Sequence, residues 1–277
     1  MSDFIEQNHN LEHLRLIKRG AEIWNTWRAQ AAWLQPQLHN GWLQGLDLRQ
    51  MNLHAADLSR ADLSCSFLND ADLSYADLSQ AQLYRVQSRR VNFYQANLSS
   101  ADLSQANLAQ ANLSAVNLLG AILTACNLRE VDLSTANLIG ANLSQANLQY
   151  ADLGLAQLKQ ANFQEANLVD ANLCQTNLCY VNLYRAELRS ANLYRAEGHR
   201  VNLMAAHLNH ANLLQMNLAE ANLTGADLRF CNLRRANLYR ADLQGANLRY
   251  ASLAQANLVE ANLAGADLRG VDLSQAN

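Results

Sequence analysis

The side chains able to do chemistry are few, and their spacing does not suit them for it. Histidine occurs at positions 9, 13, 39, 54, 199, 207 and 210. His207 and His210 are close enough to share a face, but no third donor accompanies them, and a protein zinc site takes three or four side-chain ligands. The five cysteines, Cys65, Cys126, Cys174, Cys179 and Cys231, are odd in number and irregular in spacing, so they outline no disulfide framework. Cys126 and Cys231 stand where the surrounding sequence has alanine and read as small core residues. There is no glycine-rich phosphate loop and no nucleophile motif. The aspartates recur with a fixed period, which marks a structural corner and not a catalytic pair. The expectation is a chain with no catalytic residue, no metal, no cofactor and no small-molecule substrate, hence not an enzyme.

Composition narrows the class further. The 277 residues carry 21 basic and 24 acidic side chains, a formal charge of -3. That balance does not call for nucleic acid as a partner. No run approaches the roughly 18 apolar residues of a spanning helix. The opening MSDFIEQNHN has no basic region leading into an apolar stretch, so no signal peptide is read there and a cytoplasmic location is expected. A single proline and an excess of Ala, Asn and Leu point to a repeat.

From Leu48 to Leu273 nearly every fifth residue is Leu, preceded by Asn or Asp and, before that, by Ala. About 46 units follow one another without a slip of phase, and Leu38 and Leu43 extend the phase back toward Pro36. A period of five matches neither the helical 3.6 nor the strand period of two. It works if the chain turns a corner once per unit, with Leu and Ala inward and Asn or Asp, a residue type that bonds nearby backbone in turns, near the corner. Stacked coils would then pair through backbone hydrogen bonds at about 4.8 Å spacing.

The A(N/D)LXX unit resembles that of the pentapeptide repeat proteins, a family abundant in cyanobacteria, over about 85% of the chain. The resemblance implies an all-β solenoid, a right-handed quadrilateral parallel β-helix with four units per coil. At that number the repeats would make 11 to 12 coils, a rod of roughly 55 Å. The organisation expected is a helical cap over residues 1–35 and a β-helix over 36–277.

Residues 4–35 lack the five-residue pattern and carry apolar side chains at helical spacing, with Gly20 placed to split the segment in two. Trp24, Trp27 and Trp33 are expected to cover the open first coil, as a solenoid end requires. Four acids against four bases in residues 1–35 argue against a cationic membrane helix. Leu268 and Leu273 belong to a last coil with nothing after it to cover them; an end-to-end homodimer through that coil is the favoured expectation, with a capping partner or a truncated chain as the alternatives.

Outward residues 20 apart should stack in columns. One column holds Arg49, Arg89, Arg129, Arg189, Arg229, Arg249 and Arg269, with acids such as Asp47, Asp227 and Asp267 two residues before some of them. This reads first as a self-neutralising ladder, with a protein contact face and a phosphate-binding track as the alternatives, and Arg229, Arg249 and Arg269 stand with the partner-binding candidates. Leu-Tyr-Arg recurs, as at Tyr84-Arg85, Tyr184-Arg185, Tyr194-Arg195 and Tyr239-Arg240, and Tyr beside Arg is the composition of binding hot spots. Tyr184, Arg185, Arg189, Tyr194, Arg195 and Arg200 fall within one coil, making it the expected partner-binding site. The same coil lacks the central Leu at Gly198. Ser88 is a similar defect, and Val86, Val91 and Val201 are expected to refill the space.

These readings lead to a non-enzymatic protein-binding or scaffold solenoid whose partner the sequence does not name. The alternative implied by the family is a DNA mimic that binds gyrase or topoisomerase, as in quinolone resistance. Such relatives look like strongly acidic rods, whereas this repeat region sets about 17 bases against 20 acids.

Overall fold

A computed structural model describes residues 2–277, with side chains from Asn10 onward. Helix α1 spans Ser2–Ile17 and helix α2 spans Ala21–Gln30. The break falls at Gly20, whose φ of 97° is one that a Cβ disfavours. Neither helix is long and apolar enough to cross a membrane.

From Gln37 the chain winds into coils. Parallel bridges join the Asn/Asp-position residue of each unit to its counterpart twenty residues on, from Gln37↔Asp57 to Ser252↔Asp272. Four five-residue units therefore make one turn of a right-handed quadrilateral β-helix, with about twelve coils between residues 36 and 275.

Every corner is built alike. The N–H of the Ala-position residue donates to the Leu carbonyl three residues earlier, as from Ala56 to Leu53 at 3.0 Å. Each residue whose number is a multiple of five, from Asn40 to Gln275, has φ between 53° and 71°. Positive φ at the second central position alone is the sign pattern of a type II turn. Most of these residues are not glycine, and the left-handed backbone costs each of them on the order of 1 kcal/mol.

Bonds between coils offset that cost. The Leu38 N–H donates to the Asp57 carbonyl at 2.7 Å, the Asn40 N–H to Ser59 at 2.9 Å, and the Asp57 N–H back to Pro36 at 2.8 Å. The same three bonds recur unit by unit, each worth about 1 kcal/mol net.

Leu and Ala fill the interior with almost no exposure. Cys126 and Cys231 are buried among them, and their thiols donate to the Leu103 and Leu208 carbonyls at 2.7 and 2.9 Å. Burial pushes both thiols up to about 12. The defect at Ser88 is closed by its hydroxyl, which donates to the Asn107 carbonyl at 3.2 Å, with Val86 and Val91 also buried.

At Gly198 the expected filler, Val201, takes only part of the space. A Cβ there would lie 2.8 Å from Met216 Cε and 3.2 Å from Val201 Cγ1. Met216 stands in the Ala position of the coil above and reaches into the room the missing Leu leaves.

The cap works as a substitute for a preceding coil. The Asn25 carboxamide accepts from the Asn52 N–H at 2.8 Å and donates to the Gln50 carbonyl at 3.0 Å, as a peptide group would. The Trp24 indole donates to the Asn52 carbonyl at 2.7 Å, and buried Arg28 donates to His54 at 3.1 Å and Leu34 at 2.7 Å. On a second side, His13 Nδ1 accepts from the Gln37 N–H at 3.0 Å and Asn10 donates to His39 at 3.1 Å.

Trp24 is fully buried, with Trp27 beside it at 5.0 Å between ring centroids. Trp33 does not join them. It is 84% exposed, because α2 has ended at Gln30 and the chain there is already turning into the first coil.

Restoring the consensus at one site checks the Gly198 packing. Met216→Ala should destabilise by about 2–5 kcal/mol through the cavity it opens. Gly198→Leu alone should also destabilise, by overpacking. The double variant should recover most of the loss, a coupling visible in a thermal-denaturation cycle. Additive losses would show that Met216 does not occupy the Leu space.

Candidate interaction surfaces

The outward side chains are held by a second ladder. The Asn or Asp Oδ1 of each unit accepts the N–H two residues on, as Asn182 does from Tyr184 at 3.2 Å. Where the residue is Asn, its Nδ2 donates to the Oδ1 one coil earlier. Asn112 to Asn92 and Asn137 to Asn117, both at 3.0 Å, are typical. Asp has no such donor and ends a run as the acceptor, as Asp72 and Asp242 do.

The arginine column stands beside this ladder and follows one rule. Where the residue two positions earlier is acidic, the arginine folds back on it. Arg49–Asp47 closes at 2.6 Å, Arg229–Asp227 at 2.7 Å, Arg269–Asp267 at 2.5 Å and Arg189–Glu187 at 3.4 Å. Where that place holds Gln87, Asn127 or Asn247, the arginine turns elsewhere. Arg89 reaches Gln110 Oε1 at 2.9 Å, and Arg129 reaches Glu130 at 3.0 Å with Tyr150 under its guanidinium. Arg249 lies 4.0 Å from Asp267, and its Nε has no hydrogen-bond partner among the described residues.

Beside Arg229, Arg249 and Arg269 runs a stack of rings. His210 lies on Phe230 at 4.9 Å and Phe230 on Tyr250 at 5.2 Å, with interplanar angles of 5° and 12°. Phe230 and Tyr250 are about half exposed. Tyr250 leans over Gly270, where a Cβ would come within 2.5 Å of its ring. Sequence reading picked out the arginines of this strip but missed the rings. The signal was present, since 210, 230 and 250 are 20 apart.

The coil singled out from the sequence does not form one site. Arg185, Arg189, Arg195 and Arg200 occupy the four successive units of a turn, one on each face. Tyr184-Arg185 and Tyr194-Arg195 consequently lie on opposite sides of the rod. Each arginine covers its own tyrosine, at 5.0 Å for Arg185 and 5.1 Å for Arg195. Tyr84-Arg85 and Tyr239-Arg240 do the same at 5.1 and 4.9 Å. These motifs are self-contained cation–π pairs. Arg200 and Arg240 alternate in their column with Glu220 and Glu260, each pair closing at 2.7 Å.

No group of three or more His, Cys, Asp or Glu side chains among the described residues could hold a metal ion. A leucine-packed shaft with internally paired faces and a fixed n+20 register defines a repeat solenoid. The profile described as pentapeptide repeats matches in 8 copies, across 37–86, 92–195 and 202–275, and the chain belongs to that family. The two gaps in the match contain Ser88 and Gly198.

Among solved structures, HetL, a pentapeptide repeat protein involved in heterocyst differentiation regulation from Nostoc sp. strain PCC 7120, is 35% identical; the alignment covers 91% of this chain and 92% of HetL with a TM-score of 0.38. Rfr23 from Cyanothece 51142 is 40% identical over 34% of this chain and 62% of its own, with a TM-score of 0.27. QnrB1, a plasmid-mediated fluoroquinolone resistance protein, is 18% identical over 65% of this chain and 88% of its own, with a TM-score of 0.33. Curated proteins give no match.

The Arg269 pairing holds the Asp267 carboxyl down at about 2. Because the folded value is depressed, the pair's contribution is complete above the ordinary aspartate value of about 3.9. It is lost as pH falls through about 2. Carboxyl carbon shifts followed by NMR should show this midpoint, and Arg269→Gln should move it up toward the ordinary range. An unchanged midpoint in the variant would exclude Arg269 as the cause.

Proposed function

We propose that the chain is a non-enzymatic protein-binding or scaffold solenoid that engages its partner through its outer faces. The observation that carries this reading is the strip formed by His210, Phe230 and Tyr250 beside Arg229, Arg249 and Arg269. It joins half-exposed stacked rings to a column of arginines, the residue types that dominate binding energy at protein interfaces. The sites first read at Tyr184-Arg185 and Tyr194-Arg195 are weaker supports, because each arginine there lies closer over its tyrosine, at 5.0 and 5.1 Å, than Arg249 does over Tyr250, at 5.8 Å.

A cytoplasmic location belongs to the same proposal. So does an end-to-end homodimer. Paired arginine and acid columns do not reproduce the uniform negative charge of a DNA duplex, so the gyrase-binding alternative takes second place.

Tagged capture from the native host at low salt tests the reading. Phe230→Ala with Arg249→Ala and Tyr250→Ala should abolish retention of a partner that Tyr184→Ala with Tyr194→Ala leaves bound. A partner lost only in the second variant would move the site to the mid-shaft. The absence of any saturable partner would count against the proposal, and inhibition of gyrase supercoiling at micromolar protein would put the alternative first.

A further inference from the structure

The cap leaves part of the first coil's edge open. It pairs the backbone beside Gln37 and beside Asn52, while the N–H groups of Trp42 and Asp47 have no partner among the described residues. Next to that open edge lies a cleft of about 650 Å³ between α2 and the first three coils. Arg49, Arg89 and Arg90 line it, with Asp47 and Asp70 and a wall of Gly20 and Ala21 backbone. We propose that this cleft binds a compact phosphate-type polyanion with no nucleobase, of the diphosphate kind.

Three features select that chemistry. Both carboxylates are already engaged. Asp47 takes Arg49 Nε and Nη2 at 2.8 and 2.6 Å, and Asp70 takes Arg90 Nε and Nη2 at 2.7 and 2.8 Å. Those hydrogen bonds hold both carboxyls below the usual carboxylate range, so they stay charged and clamp the two guanidinium groups in place. Each of those arginines keeps its other Nη without a hydrogen-bond partner among the described residues. The Arg89 guanidinium is bonded to the neutral Gln110, at 3.2 and 2.9 Å, and the cleft lining sets three arginines against two aspartates, one positive charge in excess.

Planar guanidinium forks match phosphate oxygens in pairs, and the unpartnered Asp47 N–H adds a further donor at the rim. Glu22 in the first turn of α2 offsets the field of the helix end, so the arginines carry the site. No ring and no apolar side chain larger than alanine lines the cleft, which gives a base or an acyl chain nothing to pack on. The volume falls within the ~300–1,000 Å³ of small-molecule sites.

Calorimetric titration of the full chain with sodium diphosphate at low salt tests the assignment without any protein partner. Its outcome is therefore independent of the protein-binding reading. A saturable 1:1 heat is expected, with ADP binding no more tightly than diphosphate. Arg89→Gln should weaken binding by about tenfold, because it removes the arginine with no carboxylate of its own. Arg229→Gln, the same charge change at the far end of the rod, should leave it unaltered.

Asp47→Asn should bind more tightly, a gain that misfolding cannot imitate. The proposal is overturned if no saturation appears below about 10 mM diphosphate, or if Arg89→Gln and Arg229→Gln weaken binding equally. Tighter binding of ADP than of diphosphate would overturn the base-free assignment.

Discussion

Each coil of this rod exists because the coil above it exactly repeats its backbone twenty residues later. A five-residue unit by itself makes one turn hydrogen bond and places one residue in the left-handed region, so it has nothing to hold it. Stacked at n+20, the same unit gains its inter-coil bonds and buries its Leu and Ala completely. The left-handed residue then belongs to the ladder, because its N–H is one of the donors. This is why Arg, Tyr, Gln and even Thr135 adopt φ near 60° throughout the chain. The strain is local and the compensation comes from the neighbouring coils, so stability in such a rod is a sum over interfaces between repeats.

The register also governs the surface. Like residues twenty apart stand about 4.8 Å from one another, close enough for like charges to repel. The chain answers with pairs inside the unit, as in Asp227 and Arg229, or with alternation along a column, as in Arg200, Glu220, Arg240 and Glu260. Asn solves the same problem for amides by donating to one coil and accepting within its own. Ring stacking at 210, 230 and 250 is the apolar version. Features that break these patterns stand out physically: Arg249 without an acid two residues before it, and Arg89 facing an amide.

A closed leucine interior leaves no room for a ligand, so whatever the chain recognises must meet its sides or ends. Among the described residues, the cap is where a different element lies against the shaft. There the periodic geometry is interrupted, and an arginine-lined cleft of about 650 Å³ results. The family is one of common architecture, and the shared architecture does not by itself assign a task.

The period of five, the inward Leu and Ala, the helical cap and its break at Gly20 were all legible in the sequence, because each follows from residue type at a fixed spacing. Columns of residues twenty apart were legible as well, once the family resemblance supplied four units per coil. Tertiary structure decided the rest. Tyr184 and Tyr194 are neighbours in sequence but sit on opposite faces, since ten residues are half a coil. Met216 fills the space at Gly198 from the next coil, an effect no single unit reveals. Trp33 is exposed although it belongs to the same aromatic run as Trp24, because the depth of a side chain depends on where α2 stops. Arg28, Asn25 and His13 complete the coil's edge only after the cap has docked. Sequence spacing fixes which side chains repeat, while the contacts between coils and with the cap fix which of them meet.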